Sequence, residues 1–217
     1  MSNYTLVIGN KNYSSWSLRP WIFMKQFNIE FSEKRISLFT DSMKNDLEPY
    51  FSNSKVPVLL DGNITVWDSL AIMEYISEQQ LNNTGWPIDI KARAIARSVS
   101  AEMHSSFNAV RNELPMNCRK TFTNFILSNA VLEDINRIKN IWSKCRNNFG
   151  SNGKWLFGEF SIADAMFAPV VLRFKGYNVP LNEFESSYVQ NFLDLDCIKD
   201  WIKDGEQEKE IIEIDEV

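Results

Sequence analysis

Apolar residues recur along this chain with two different periods, and the change of period divides it. Thr5–Ile8 is a short apolar run of β type, and Ser17–Phe27 carries apolar residues at the spacing of one helix face. Phe31–Leu38 then alternates, with Phe31, Glu33 and Arg35 set against Ser32, Lys34 and Ile36, as an exposed strand does. Together these make a βαβ unit. After the polar segment Asp41–Glu48 come Val56–Leu60, Asp61-Gly62-Asn63 and Ile64–Trp67. Two β-rich runs around an Asp-Gly turn predict a hairpin. Ser69 then opens a helical run with Leu70, Met73 and Ile76 at i, i+3 and i+6.

The order βαβ then ββα is that of a thioredoxin-like domain, here residues 1–80. Gln80–Asp89 lacks periodicity, is rich in Asn and holds Pro87, so 81–89 reads as a linker. Beyond it, over 90–217, the pattern is helical throughout. Ile90–Arg111 and Thr121–Phe149 are predicted as long helices, the first stretch ended by Pro115. Ser151-Asn152-Gly153 is a loop, Ser161–Phe174 a helix interrupted by Pro169, and Asp196–Glu210 a final amphipathic helix. The predicted fold class is therefore α/β plus all-α: a thioredoxin-like βαβ-ββα domain followed by an all-helical one.

Composition narrows the function. A formal charge of −5 disfavours nucleic acid or an anionic membrane as partner. The acidic run Glu206–Val217 reads as a solvated tail. Met1–Tyr4 has neither the basic nor the long apolar region of a signal peptide. The longest apolar run, Ala165–Leu172, is much shorter than a membrane span of about 20 residues. Cys118, Cys145 and Cys197 are widely spaced and odd in number, which fits a reducing, cytoplasmic setting. His104 is the single histidine, so no histidine cluster is present for a catalytic metal.

Candidate chemistry lies at the helix starts. In Tyr13–Trp21, Pro20 is expected in the first turn, which would start the helix near Trp16 or Ser17 with Ser14–Ser17 at its N-terminal end. Free N–H groups and the positive end of the dipole suit an anion or a thiolate there, although serines also serve simply as caps. Val56-Pro57 opens a strand with a residue that donates no ladder hydrogen bond, leaving backbone to pair with an extended peptide; an ordinary edge proline fits as well. Asp68-Ser69 starts the next helix, as a plain cap or as a holder of a carboxylate and an ammonium group.

Taken in order, Ser-Ser-x-Ser-x-Arg, Lys-Val-Pro-Val-Leu, Asp-Gly and Asp-Ser-x-Ala-Ile resemble the N-terminal domain of cytosolic glutathione transferases, of the serine type with a zeta- or theta-like motif. Phe160–Asp164 resembles the family's buried Ser/Thr-x-x-Asp capping box, and the likeness runs from about Thr5 to Trp201. Ala101–Phe107 with Leu114-Pro-Met-Asn is similar to a bacterial subgroup. The resemblance implies glutathione as co-substrate, no metal, and a homodimer. It implies that Ser14, or failing that Ser15, donates to the glutathione sulfur. Val56, before a cis Pro57, would pair by backbone with the cysteinyl unit, Asp68 and Ser69 would hold the γ-glutamyl end, and Lys55 is a further glutathione-binding candidate. Ser161 and Asp164 are then structural, while His104 and Arg111 are candidates for the electrophile pocket as well as for plain packing or solvation.

The activity this implies is conjugation of glutathione to a small hydrophobic electrophile. A zeta-like isomerase of the maleylacetoacetate type is the nearest enzymatic alternative, although Pro20-Trp21 replaces that class's Val-Arg and no basic pair for a dicarboxylate is evident. Cys197 also stands where many members carry proline. A non-catalytic binding or partner protein is the alternative from another class. A thiol–disulfide oxidoreductase is disfavoured, because Ser14 and Ser17 stand where redox cysteines belong.

Overall fold

The computed structural model describes residues 4–50 and 54–217, so the reading of Met1–Asn3 lies outside the described residues. Four strands form one sheet in the order β2-β1-β3-β4. Strand β1 (Thr5–Ile8) pairs in parallel with β2 (Ser32–Arg35) through α1 (Ser15–Gln26), as the βαβ pattern predicts. Strands β3 (Val58–Asp61) and β4 (Ile64–Val66) form the antiparallel hairpin, and β1 pairs antiparallel with β3, Leu6 opposite Leu59. The turn needs Gly62, whose φ of 57° lies in the left-handed region that only glycine enters freely.

Period-two alternation sorts the sheet residues. Leu6, Ile8 and Leu59 join the main core under the helices, whereas Val7, Val58 and Ile36 join a smaller cluster on the other face with Leu47 and Tyr50. Strand β2 is exposed along its length, as its charged alternation implied. Helix α2 (Met43–Leu47) and a 3-10 turn at Glu48–Tyr50 follow it, and α3 (Ser69–Gln80) closes this half. Segment 81–89 carries no helix or strand. It is tied down by Gly85, whose N–H donates to Ser77 Oγ and whose carbonyl accepts from Ile162.

The remainder is helical, with boundaries that depart from the predicted ones. The stretch Ile90–Arg111 is two helices, α4 (Ile90–Ser105) and α5 (Asn108–Glu113), because Phe107 adopts a left-handed φ of 65° between them. Helix α6 (Asn129–Phe149) begins at a Ser128 cap, so 121–128 is not helical; Phe122 and Phe125 there pack on Tyr177 instead. Helix α7 (Ile162–Gly176) runs unbroken through Pro169. It is buried along nearly its whole length, and packing on all sides outweighs the one missing backbone bond. Helix α8 (Glu183–Leu193) was not individually predicted. Its Asn182/Glu185 capping box was a readable signal. Helix α9 (Asp196–Gln207) ends three residues short of Glu210.

Two further corrections bear on function. Helix α1 starts at Ser15, with Ser14 as its cap position, so Pro20 lies inside the helix and not in its first turn. And the acidic segment after α9 is not a solvated tail. Ile212 is buried, and Glu208, Glu210 and Glu216 bond to loops and strands of the N-terminal half.

Candidate functional site

A cavity of about 280 Å³ opens where α1, the start of β3, the start of α3 and α4 meet; it is lined by Trp16, Lys55, Val56, Pro57, Trp67, Asp68, Ser69 and His104. Lys55, Val56, Pro57, Asp68 and Ser69, the glutathione-binding candidates other than Ser14, are therefore in one place. The Val56–Pro57 peptide is cis. Asp68 caps α3, Oδ1 accepting from Leu70 N at 2.9 Å. Ser69 is buried, and its hydroxyl has no hydrogen-bond partner among the described residues. A hydroxyl so placed costs about 1–3 kcal/mol while unpaired, and it sits at the positive end of a three-turn helix.

His104 also lines this cavity, where it pairs with Asp68, Nε2 to Oδ2 at 2.6 Å. Its ring packs edge-on to Trp16, centroids 5.2 Å apart. Arg111 reaches the same indole from α5, its guanidinium 4.8 Å from the ring, while donating to the carbonyls of Ser106 and Met103. His104 and Arg111 thus meet on the Trp16 ring from helices on either side of a break.

Ser14 and Ser15 do not line the cavity; they are buried beside it, 5% and 6% exposed. Ser14 makes no side-chain cap. Its hydroxyl donates to Ser17 Oγ at 2.7 Å, and Ser17 Oγ also accepts from Gly9 N at 3.1 Å. Ser15 Oγ accepts from Arg173 Nη2 at 3.3 Å. Neither hydroxyl is a plain helix cap.

Around these serines lies a cationic cluster. Arg19 is buried on α1; its Nε donates to Met166 O, its guanidinium stacks 4.2 Å from the Trp16 ring, and Nη1 has no partner among the described residues. Burial, then the cations Arg111 and Arg173, hold Arg19 well below the ordinary guanidinium range. Burial and Arg111 bring Arg173 down to about 10. Arg173 donates to Leu114 O and Ser15 Oγ and Arg19 to Met166 O, so the hydrogen bonds of both buried guanidiniums go to neutral oxygens and not to carboxylates. Such a cluster makes the N-terminal end of α1 strongly favourable to an anion.

Residues 13–79 match the family described as glutathione S-transferase, N-terminal domain. That match places residues 13–79 in the glutathione S-transferase N-terminal domain family. It is 38% identical over 66 residues to a dichloromethane dehalogenase of Methylophilus leisingeri, a match covering 30% of this chain and spanning only 25% of that protein's length. It is 24% identical over 189 residues to a probable maleylacetoacetate isomerase of Caenorhabditis elegans, covering 85% of this chain and 86% of that one. In fold it is similar to a glutathione transferase homolog from Burkholderia with bound glutathione, with a TM-score of 0.67 at 20% identity, covering 94% and 97% of the two chains.

In and around this site, sequence reasoning missed Trp16, Arg173 and Trp67, and quoted Arg19 only as part of a motif. Trp16 carried no signal among seven tryptophans. Arg173 lies in an otherwise apolar helix, and a charged residue in the middle of a buried run was a usable clue. Ser161 and Asp164 are both buried, and Asp164 accepts four hydrogen bonds far from any lining residue of the cavity.

Proposed function

We propose that this chain is a glutathione transferase that binds glutathione in the Val56–Ser69 cavity and raises the thiolate fraction of its sulfur for attack on a small electrophile. The observation that carries this reading is Ser69, a buried hydroxyl without a partner among the described residues, at the start of α3 and lining the same cavity as Asp68 and the backbone before Pro57. In this reading Ser69 takes the γ-glutamyl carboxylate, Asp68 the ammonium group, and Val56 the cysteinyl backbone. Ser14 donates to the sulfur, with Ser15 second. A free thiol of pKa about 8.5 is only a few per cent thiolate at pH 7, and lowering it to about 7 raises that share roughly tenfold. The thiol proton leaves to water, the sulfur lone pair forms the S–C bond, and the leaving group departs with its electron pair. Arg19, Arg111 and Arg173 add positive potential at the same helix end. A cytoplasmic homodimer is part of this proposal.

An isomerase of the maleylacetoacetate type is the second reading. The arginine cluster favours it, since it supplies the cations whose absence from the sequence pattern argued against a dicarboxylate, and the long match to the nematode protein supports it. Calorimetric titration with glutathione tests the shared part: absence of binding at millimolar concentration refutes both. An electrophile panel set against a cis–trans isomerisation assay then separates them.

A further inference from the structure

The loop from Gly9 to Tyr13, which delivers the chain from β1 to the serines, has no regular structure of its own. Much of its support comes from the segment after α9, nearly 200 residues away. Glu208 grips two successive backbone amides with one carboxylate, Oε1 accepting from Lys11 N at 2.7 Å and Oε2 from Asn12 N at 3.1 Å. The next residue, Tyr13, directly precedes Ser14. Its hydroxyl donates to Glu216 and accepts from Arg119 and from Ile212 N. Glu216 is held in turn by Asn117 Nδ2 at 3.0 Å and by Lys120. Glu210 ties the segment to the sheet edge through Arg35 at 2.7 Å and Ser37. Close approach reinforces this: a Cβ on Gly205 of α9 would stand 3.0 Å from Asn12 N.

We propose that segment 208–217 is a positioning strap, with Glu208 and Glu216 as its positioning residues, that holds the loop carrying Ser14 at the N-terminal end of α1. Among the described residues, these hydrogen bonds of the strap go to Lys11, Asn12, Tyr13 and Arg35, none of which lines the Val56–Ser69 cavity. The strap therefore sets how the serine meets the sulfur and leaves the grip on the tripeptide alone. Its attachments are mostly ionic and partly exposed, so salt weakens them. This inference rests on the glutathione reading for its catalytic consequence, but not for its structural one.

Two forms of the protein test it, a chain ending at Gln207 and the full chain carrying Glu208→Ala. Hydrogen exchange should quicken at amides 9–17 in both. In the glutathione-bound protein the thiol titration midpoint should rise by about one pH unit, a tenfold loss of thiolate, while glutathione affinity changes by less than about twofold. Glu208→Gln, which keeps one acceptor oxygen, should fall between. Salt near 1 M, where the Debye length is about 3 Å, should move the full chain in the same direction. Unchanged exchange at 9–17 overturns the proposal. So does a loss of affinity without a shift in midpoint, which would make the segment part of the binding site. If neither form nor the unmodified protein binds glutathione, the functional reading fails, and the exchange data still decide the strap.

Discussion

Asp164→Ala should cost stability and spare the chemistry. The carboxylate is fully buried, and Oδ1 accepts from Leu156 N at 3.1 Å and the Tyr188 hydroxyl at 3.0 Å. Oδ2 accepts from the N–H and the hydroxyl of Ser161, each at 3.0 Å. Removing it orphans two backbone N–H groups that cannot turn away, at about 1–3 kcal/mol each. The two hydroxyls can rotate to other acceptors and add less. The total is about 2–6 kcal/mol against a typical stability of about 5–15 kcal/mol. At about 2–4 °C per kcal/mol for a chain of this size, the melting temperature should fall by roughly 4–24 °C. A water entering the vacated space and bridging the amides would keep the loss near the lower end. Asp164→Asn should recover only part, because its amide group turns a donor toward donors. Differential scanning calorimetry measures this, with glutathione titrated into the folded variant below its melting point. An unchanged melting temperature with binding or activity lost would refute the structural role of Asp164.

Asp68→Ala and Ser69→Ala should each weaken glutathione binding by about 1–3 kcal/mol through loss of a charge-assisted hydrogen bond; calorimetry giving wild-type affinity in both would remove the γ-glutamyl assignment. Asp68→Ala should also free His104 from its hydrogen bond to that carboxylate, visible as a shifted imidazole resonance. Glu210, held by the Arg35 hydrogen bond, sits down at about 2 against an ordinary 4.5. Its contribution to docking is thus present above about pH 4.5 and lost as pH falls through about 2. Glu210 is partly exposed, so the energy is small, and carboxyl NMR finding it at the ordinary value would contradict the Arg35 pairing.

Most of the N-terminal half was legible because its signals are local. Asp61-Gly62 encodes a turn that needs a left-handed glycine, and Asp68-Ser69 encodes a cap; both act within three residues. What was not legible depends on distant partners. Phe107 bends the chain where apolar spacing continues into Val110, and nothing about a phenylalanine announces a left-handed φ. Pro169 looked like a break because local propensity was weighed without the packing that surrounds α7. The acidic run after Gln207 read as solvated because its partners, Lys11, Asn12, Tyr13, Arg35 and Arg119, are scattered through the chain. The same holds for the site: its motif residues were visible, whereas the arginines that gather behind Trp16 come from three different helices.

The central claim is that a serine hydroxyl at the start of α1 stabilises the thiolate of bound glutathione, and thiolate absorbance against pH in the wild type, Ser14→Ala and Ser15→Ala tests it most directly. The bound thiol in the wild type should titrate near pH 7, below the free value of about 8.5. Ser14→Ala should raise that midpoint by about 1–2 pH units, the equivalent of a charge-assisted hydrogen bond of about 1.5–3 kcal/mol, with affinity nearly intact. A shift confined to Ser15→Ala would transfer the role to the hydroxyl that Arg173 holds. Identical midpoints in all three proteins would contradict the account.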